Sequence, residues 1–143
     1  MDLIRCSQPF ATYEGVKDTD ALVRSFDVAS ALIHVPSEET FGLVVAEALA
    51  RNVKVFSFRV GGIVDIAGGF ESAVLLNEGD WDGLKAALKE WIQAGSPKPG
   101  NESVVMRQLY HPREIARRHL EIYREAVDQR MRRAQPSTCY SRA

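Results

Sequence analysis

The sequence predicts an α/β fold, a Rossmann-like parallel sheet with helices on both faces. Two observations predict it. Short apolar runs, ALIHV (31–35), VKVFSF (53–58) and AVLL (73–76), alternate with segments of helical periodicity. Turn residues follow the first two runs, Pro36-Ser37 and then Gly61-Gly62. Strands joined through helices run parallel and are buried on both faces, and right-handed crossovers make such a layer Rossmann-like.

The elements follow in chain order. Pro9 and Gly15 punctuate residues 1–18, and Phe10 to Tyr13 have the composition of a short strand. Asp18 or Thr19 suits a helix start, with Leu22, Val23 and Phe26 at helical spacing. The strand 31–35 stops at Pro36-Ser37, and SEETFGLVVAEALA (37–50) enters the next helix. Asn52 suits its left-handed end. The strand 53–58 leads through Gly61-Gly62 into a short helix within GGIVDI (61–66), and 73–76 is the third strand. Asp80 is placed to cap a helix whose apolar stripe is Trp81, Leu84, Leu88, Trp91 and Ile92, a packing stripe rather than a base-stacking platform. Residues 94–103 read as a loop, and Pro112 opens a last long helix lined by Ala116, Leu120, Tyr123 and Val127. The expected organisation is one domain over 1–129 and a flexible tail over 130–143.

Bulk properties bound the function. A chain of 143 residues is about one domain and buries roughly 70% of its unfolded surface. It is 45% apolar and 26% charged with a net charge of −1, which does not point to nucleic acid. Cys6 and Cys139 lack metal-ligand spacing and read as free thiols of a reducing compartment. The N-terminus has no signal-peptide core, and no apolar run approaches the ~20 residues of a membrane span, so a cytoplasmic protein is expected.

Chemistry concentrates in SEETFGLVVAEALA. Ligands of such sheets bind beyond the carboxyl ends of the strands, and this segment follows one. Backbone N–H groups near Thr40 to Val44 open a helix without intrahelical partners, and the helix dipole adds positive potential. Gly42 lets a ligand approach the backbone, so a phosphate or polar-hydroxyl site fits. Glu47 sits two turns in, beside Leu43 and Val44. Burial of its carboxylate requires a partner. A backbone N–H or an arginine would serve, and so would a pair of ligand hydroxyls; physics alone favours the internal partner. Gly61-Gly62 follows the next strand at the same sheet edge, where a tight turn or a close ligand approach would need glycine.

The run Ser37 to Ala50, with Glu39 and Glu47 in an E-x(7)-E arrangement, resembles the signature of group 1 glycosyltransferases, retaining enzymes of the two-domain GT-B class. VKVFSF followed by VGGIVDI resembles that family's next strand and glycine pair, and HPREIARRHLEIYREAV resembles its closing helix. The resemblance covers 12–127 and implies a partial C-terminal, donor-binding domain of a GT-B enzyme. It implies that Glu47 binds the ribose hydroxyls of a nucleoside diphosphate sugar and that Glu39 lies near the donor sugar. It implies that the backbone of Thr40, Phe41, Gly42, Leu43 and Val44 faces sugar and diphosphate, and that Gly61 and Gly62 shape the pocket. No cofactor or metal is implied beyond the nucleotide-sugar substrate.

Departures from the family pattern are Thr40 where glycine is common, Asn52 and Lys54 where Gly and Pro are frequent, and Asp65 in place of Glu. The family's acceptor domain, its catalytic histidine and its basic pair match no residue here, so these residues alone are expected to be inactive. They would be a fragment, one half of a split enzyme or a truncated product. His34, His111 and His119 are expected in structural or surface roles. The alternative is a noncatalytic module that pairs with itself or with a separate N-terminal subunit. A phosphorylase-like reading lacks a cofactor-lysine context around Lys54, Lys85 or Lys89.

Overall fold

A computed structural model describes residues 10–134; the two cysteines lie outside them. The chain divides into two compact units, Met1–Ser103 and Val104–Ala143. The first holds a three-stranded parallel sheet in the order β1-β2-β3, with β1 at Ala31–His34, β2 at Lys54–Phe58 and β3 at Ala73–Leu76. The register pairs His34 with Ser57 and Ser57 with Leu75.

Helix α1 (Thr19–Val28) starts where the Asp18 carboxylate accepts the Ala21 N–H at 2.7 Å. Helix α2 (Leu43–Ala50) joins β1 to β2, and α3 (Ile63–Ala67) joins β2 to β3. These two crossover helices touch each other. Val45, Ala46, Ala48 and Leu49 are buried, which explains why α2 is apolar on nearly every side. Helix α4 (Trp81–Gln93) covers the opposite face, where Leu84 meets Phe56 and Phe58, side chains that alternate to one side of β2. Phe56 and Trp91 meet edge to face with centroids 5.6 Å apart, and Phe58 and Trp81 at 5.0 Å. The sheet therefore carries helices on both faces, as its strand pattern predicts.

Several expectations are corrected. Phe10 to Tyr13 form no strand; all four are exposed and pair with nothing along a ladder. The first two strands are one residue shorter than expected, because Val35 leaves the ladder ahead of Pro36 and the Val53 N–H bonds back to the Ala48 carbonyl of α2. Ile92 leaves the stripe of α4 and is exposed. The loop expected over 94–103 ends early, because helix α5 (Glu102–Leu109) begins within it. Its first residue is anchored from afar: the Glu102 carboxylate accepts the Glu71 and Ser72 N–H groups at 2.6 and 2.7 Å.

In the second unit, α6 (Pro112–Ala134) opens at Pro112 and continues through Ala134, so the first residues of the expected tail are helical. Arg117 bridges Glu114 and Glu121, and Arg118 also reaches Glu114, at the three- and four-residue spacings a helix brings together. Among the described residues no helix is long and apolar enough to cross a membrane.

Candidate functional site

The loop between β1 and α2 lies at the carboxyl edge of the sheet, and its shape follows from two residue types. Gly42 caps α2 at φ 89°, in the left-handed region. A Cβ there would lie 3.1 Å from the Ile63 side chain, so the position combines an unfavourable backbone with little room. The helix begins at Leu43, so Thr40 and Phe41 precede it rather than opening it. Glu39 holds this loop. Its Oε1 accepts the Phe41 N–H at 3.2 Å, and its Oε2 lies 3.2 Å from His34 Nε2. The Gly42 N–H foremost, with His34 next, holds the Glu39 carboxyl below the usual carboxylate range against the opposing effect of burial.

Gly61 and Gly62 sit directly against this loop. A Cβ on Gly61 would fall 1.7 Å from the Glu39 carbonyl oxygen, and Gly61 itself has φ 49°. A Cβ on Gly62 would lie 2.6 Å from the carbonyl oxygens of Thr40 and Phe41. The glycine pair therefore clears space for the neighbouring loop of the protein itself. Glu39, Thr40, Phe41, Gly42, Gly61 and Gly62 are brought into one contact. Phe41 and Leu43 are 46% and 61% exposed, Val44 is half-buried, and the N–H groups of Leu43 and Val44 have no backbone acceptor among the described residues.

Glu47 lies farther along α2 on a different wall. It lines a groove of about 150 Å³ with Thr19, Leu22, Val23 and Phe26 of α1 and with Ala50 and Arg51. It is half-buried, and its carboxylate has neither hydrogen bond nor ion pair among the described residues. The one cation in the groove, Arg51, is engaged by Asp27 through Nε at 2.9 Å and through Nη2. The internal partner that physics favours for Glu47 is thus absent among the described residues. Asp65 is exposed in the first turn of α3.

Two further residues stand at this edge. His34 ends β1 and contacts Glu39, a contact within the range of the structural role expected of it. Its place at a strand's carboxyl end was the available signal. Arg59 follows β2 two residues before Gly61, is exposed, and has no ion pair among the described residues. Among those residues no three His, Cys, Asp or Glu side chains are grouped to hold a metal ion.

The sequence profile of the family described as Glycosyl transferases group 1 matches residues 7–102, more than half of the chain. No curated protein and no solved structure matches.

Proposed function

Because the chain belongs to the group 1 glycosyl transferases, we propose that its Rossmann-like unit binds the nucleoside diphosphate sugar that donates the glycosyl group. The observation that carries this reading is the seating of Gly61 and Gly62 against Glu39, Thr40 and Phe41. It unites the acidic segment and the glycine pair as one feature at the sheet edge where Rossmann-like layers hold nucleotides. On this reading Glu39 contacts the donor sugar. The free N–H groups of Leu43 and Val44, at the positive end of α2, face the diphosphate, and Gly42 gives that turn its shape. Glu47 takes the ribose hydroxyls, which supply the hydrogen-bond donors its carboxylate lacks within the protein.

The chemistry is glycosyl transfer with retention in an enzyme of the GT-B class. Negative charge grows on the leaving nucleoside diphosphate, and the α2 terminus stabilises it. Closure of a second domain over the edge excludes water. No resident cofactor is needed. Turnover by these 143 residues alone is not expected, because no histidine or basic pair in the sequence matches the family's catalytic and diphosphate-binding positions.

Calorimetric titration with UDP- and GDP-sugars tests the reading. Saturable binding of one of them is the expected result; a folded sample that binds neither, alone or with an N-terminal partner, contradicts it. The exposure of Phe41, Leu43 and Val64 favours a second reading, a noncatalytic module that docks a protein on this edge. Sedimentation separates the two: a tight dimer without sugar-nucleotide affinity supports the module, and a monomer with affinity supports the transferase.

A further inference from the structure

Glu39 is a side chain with three rotatable bonds on a loop, yet both of its carboxylate oxygens are engaged. Its main chain is fixed from one side, where Gly61 leaves no room for a shift toward β2. Its side chain is fixed from the other, by the imidazole of His34. That imidazole stands on the last residue of β1. His34 is paired in register with Ser57, whose hydroxyl is fully buried and donates to the His34 carbonyl at 2.6 Å. The ring thus transmits the position of the sheet to the loop.

The proton on this bond is settled by chemistry. An ionised carboxylate only accepts hydrogen bonds, so Nε2 of His34 carries the proton. The neutral ring in that tautomer and the imidazolium both make the contact. At 26% and 21% exposure the two side chains are sheltered enough for it to persist, and open enough to lie at the edge of a ligand site.

We propose that His34 is a positioning residue for the glycosyl-transfer site: its Nε2–H holds the Glu39 carboxylate in the orientation in which it meets the donor sugar. This rests on the donor-binding reading of Glu39 given above. Without the contact the carboxylate is free to leave that orientation, and roughly tenfold weaker binding of whatever Glu39 holds is expected, about 1.4 kcal/mol.

The test compares His34→Ala, His34→Gln and His34→Asn with the wild type. The glutamine amide nitrogen reaches about as far as Nε2, whereas the asparagine nitrogen stops near the place of Nδ1. Dissociation constants are measured for UDP-glucose, GDP-mannose, UDP and GDP, and the Phe41 amide is followed by NMR. Expected is a tenfold loss for the bound sugar nucleotide in His34→Ala and His34→Asn. Near-wild-type affinity is expected in His34→Gln, with affinity for the bare nucleotide unchanged in all three. The Phe41 amide signal shifts and exchanges faster in the alanine and asparagine variants only. Equal loss for sugar nucleotide and bare nucleotide marks a merely structural role and overturns the proposal. Indistinguishable glutamine and asparagine variants, or an unmoved Phe41 amide in His34→Ala, overturn it as well. A wild type that binds none of the four ligands sinks the donor-binding reading instead, and the Phe41 amide still decides whether His34 orients Glu39.

Discussion

The two edges of the sheet use polar side chains differently. At the amino edge most are spent on the protein's own backbone, though the buried Asn52 Oδ1 has no partner among the described residues. Glu102 binds the N–H groups of Glu71 and Ser72, and Lys54 Nζ donates to the Glu71 carbonyl at 2.8 Å. Asn52 Nδ2 and Trp91 Nε1 donate to the carbonyls of Pro99 and Pro97, each at 3.1 Å. At the carboxyl edge two glycines clear the way for a neighbouring loop, and the N–H groups of Leu43 and Val44 have no backbone acceptor among the described residues; Glu47, farther along α2, has no partner among them either. The amino edge also has the larger cavity, about 380 Å³ against about 150 Å³ beside Glu47. What sets the carboxyl edge apart is the place of its open groups, backbone N–H groups at a helix start beside a loop that two glycines admit.

Breaking the carboxyl edge has the largest expected effect. Gly61→Ala places a Cβ 1.7 Å from the Glu39 carbonyl at a positive φ, whereas Gly79→Ala, also at positive φ, meets nothing within 4 Å. Gly61→Ala should cost about 3 kcal/mol or more in denaturant unfolding and Gly79→Ala about 1 kcal/mol. Equal costs would mean that the loop–loop contact is not tight.

The amino-edge clamp comes next. Glu102→Ala strands two backbone N–H groups and should cost about 2 kcal/mol in the same experiment. Burial raises the Glu102 carboxyl, but the hydrogen bonds from Ser72 and Glu71 outweigh it and leave the group below its ordinary value. A carboxyl depressed on folding contributes stability above its unfolded pKa of about 4.3, and that contribution is lost as pH falls through the folded value. Glu102→Gln should flatten the acid limb of the stability curve; an unchanged limb would show that Glu102 does not carry it.

A smaller effect belongs to α6. Hydrogen bonds from Arg117 and then Arg118 depress Glu114 from 4.5 to about 2. Helicity of this segment should therefore fall between pH 4.5 and about 2, and Glu114→Gln should remove the transition from the circular-dichroism titration.

The fold was readable because local signals agreed with one another. Apolar strands, the Asp18 and Asp80 caps and the opening proline of α6 all reappear in the structure. Helix α5 was not readable, since a side chain thirty residues from its partners anchors it. The glycines were half readable. Their need for a bare backbone was visible, but the protein loop that fills the space at Gly61 is a tertiary fact. Glu47 was left between two readings because its surroundings on α1 are distant in sequence, and His34 was passed over because its contact with Glu39 depends on how the loop folds back.

Glu47 has no partner among the described residues, and its proposed role is to bind the ligand. Parallel titration and thermal unfolding of wild type and Glu47→Gln test it most directly. Expected is a roughly tenfold or greater loss of sugar-nucleotide affinity, with an unfolding midpoint within about 2 °C of wild type. A lower midpoint with affinity intact would contradict it and return Glu47 to a structural role.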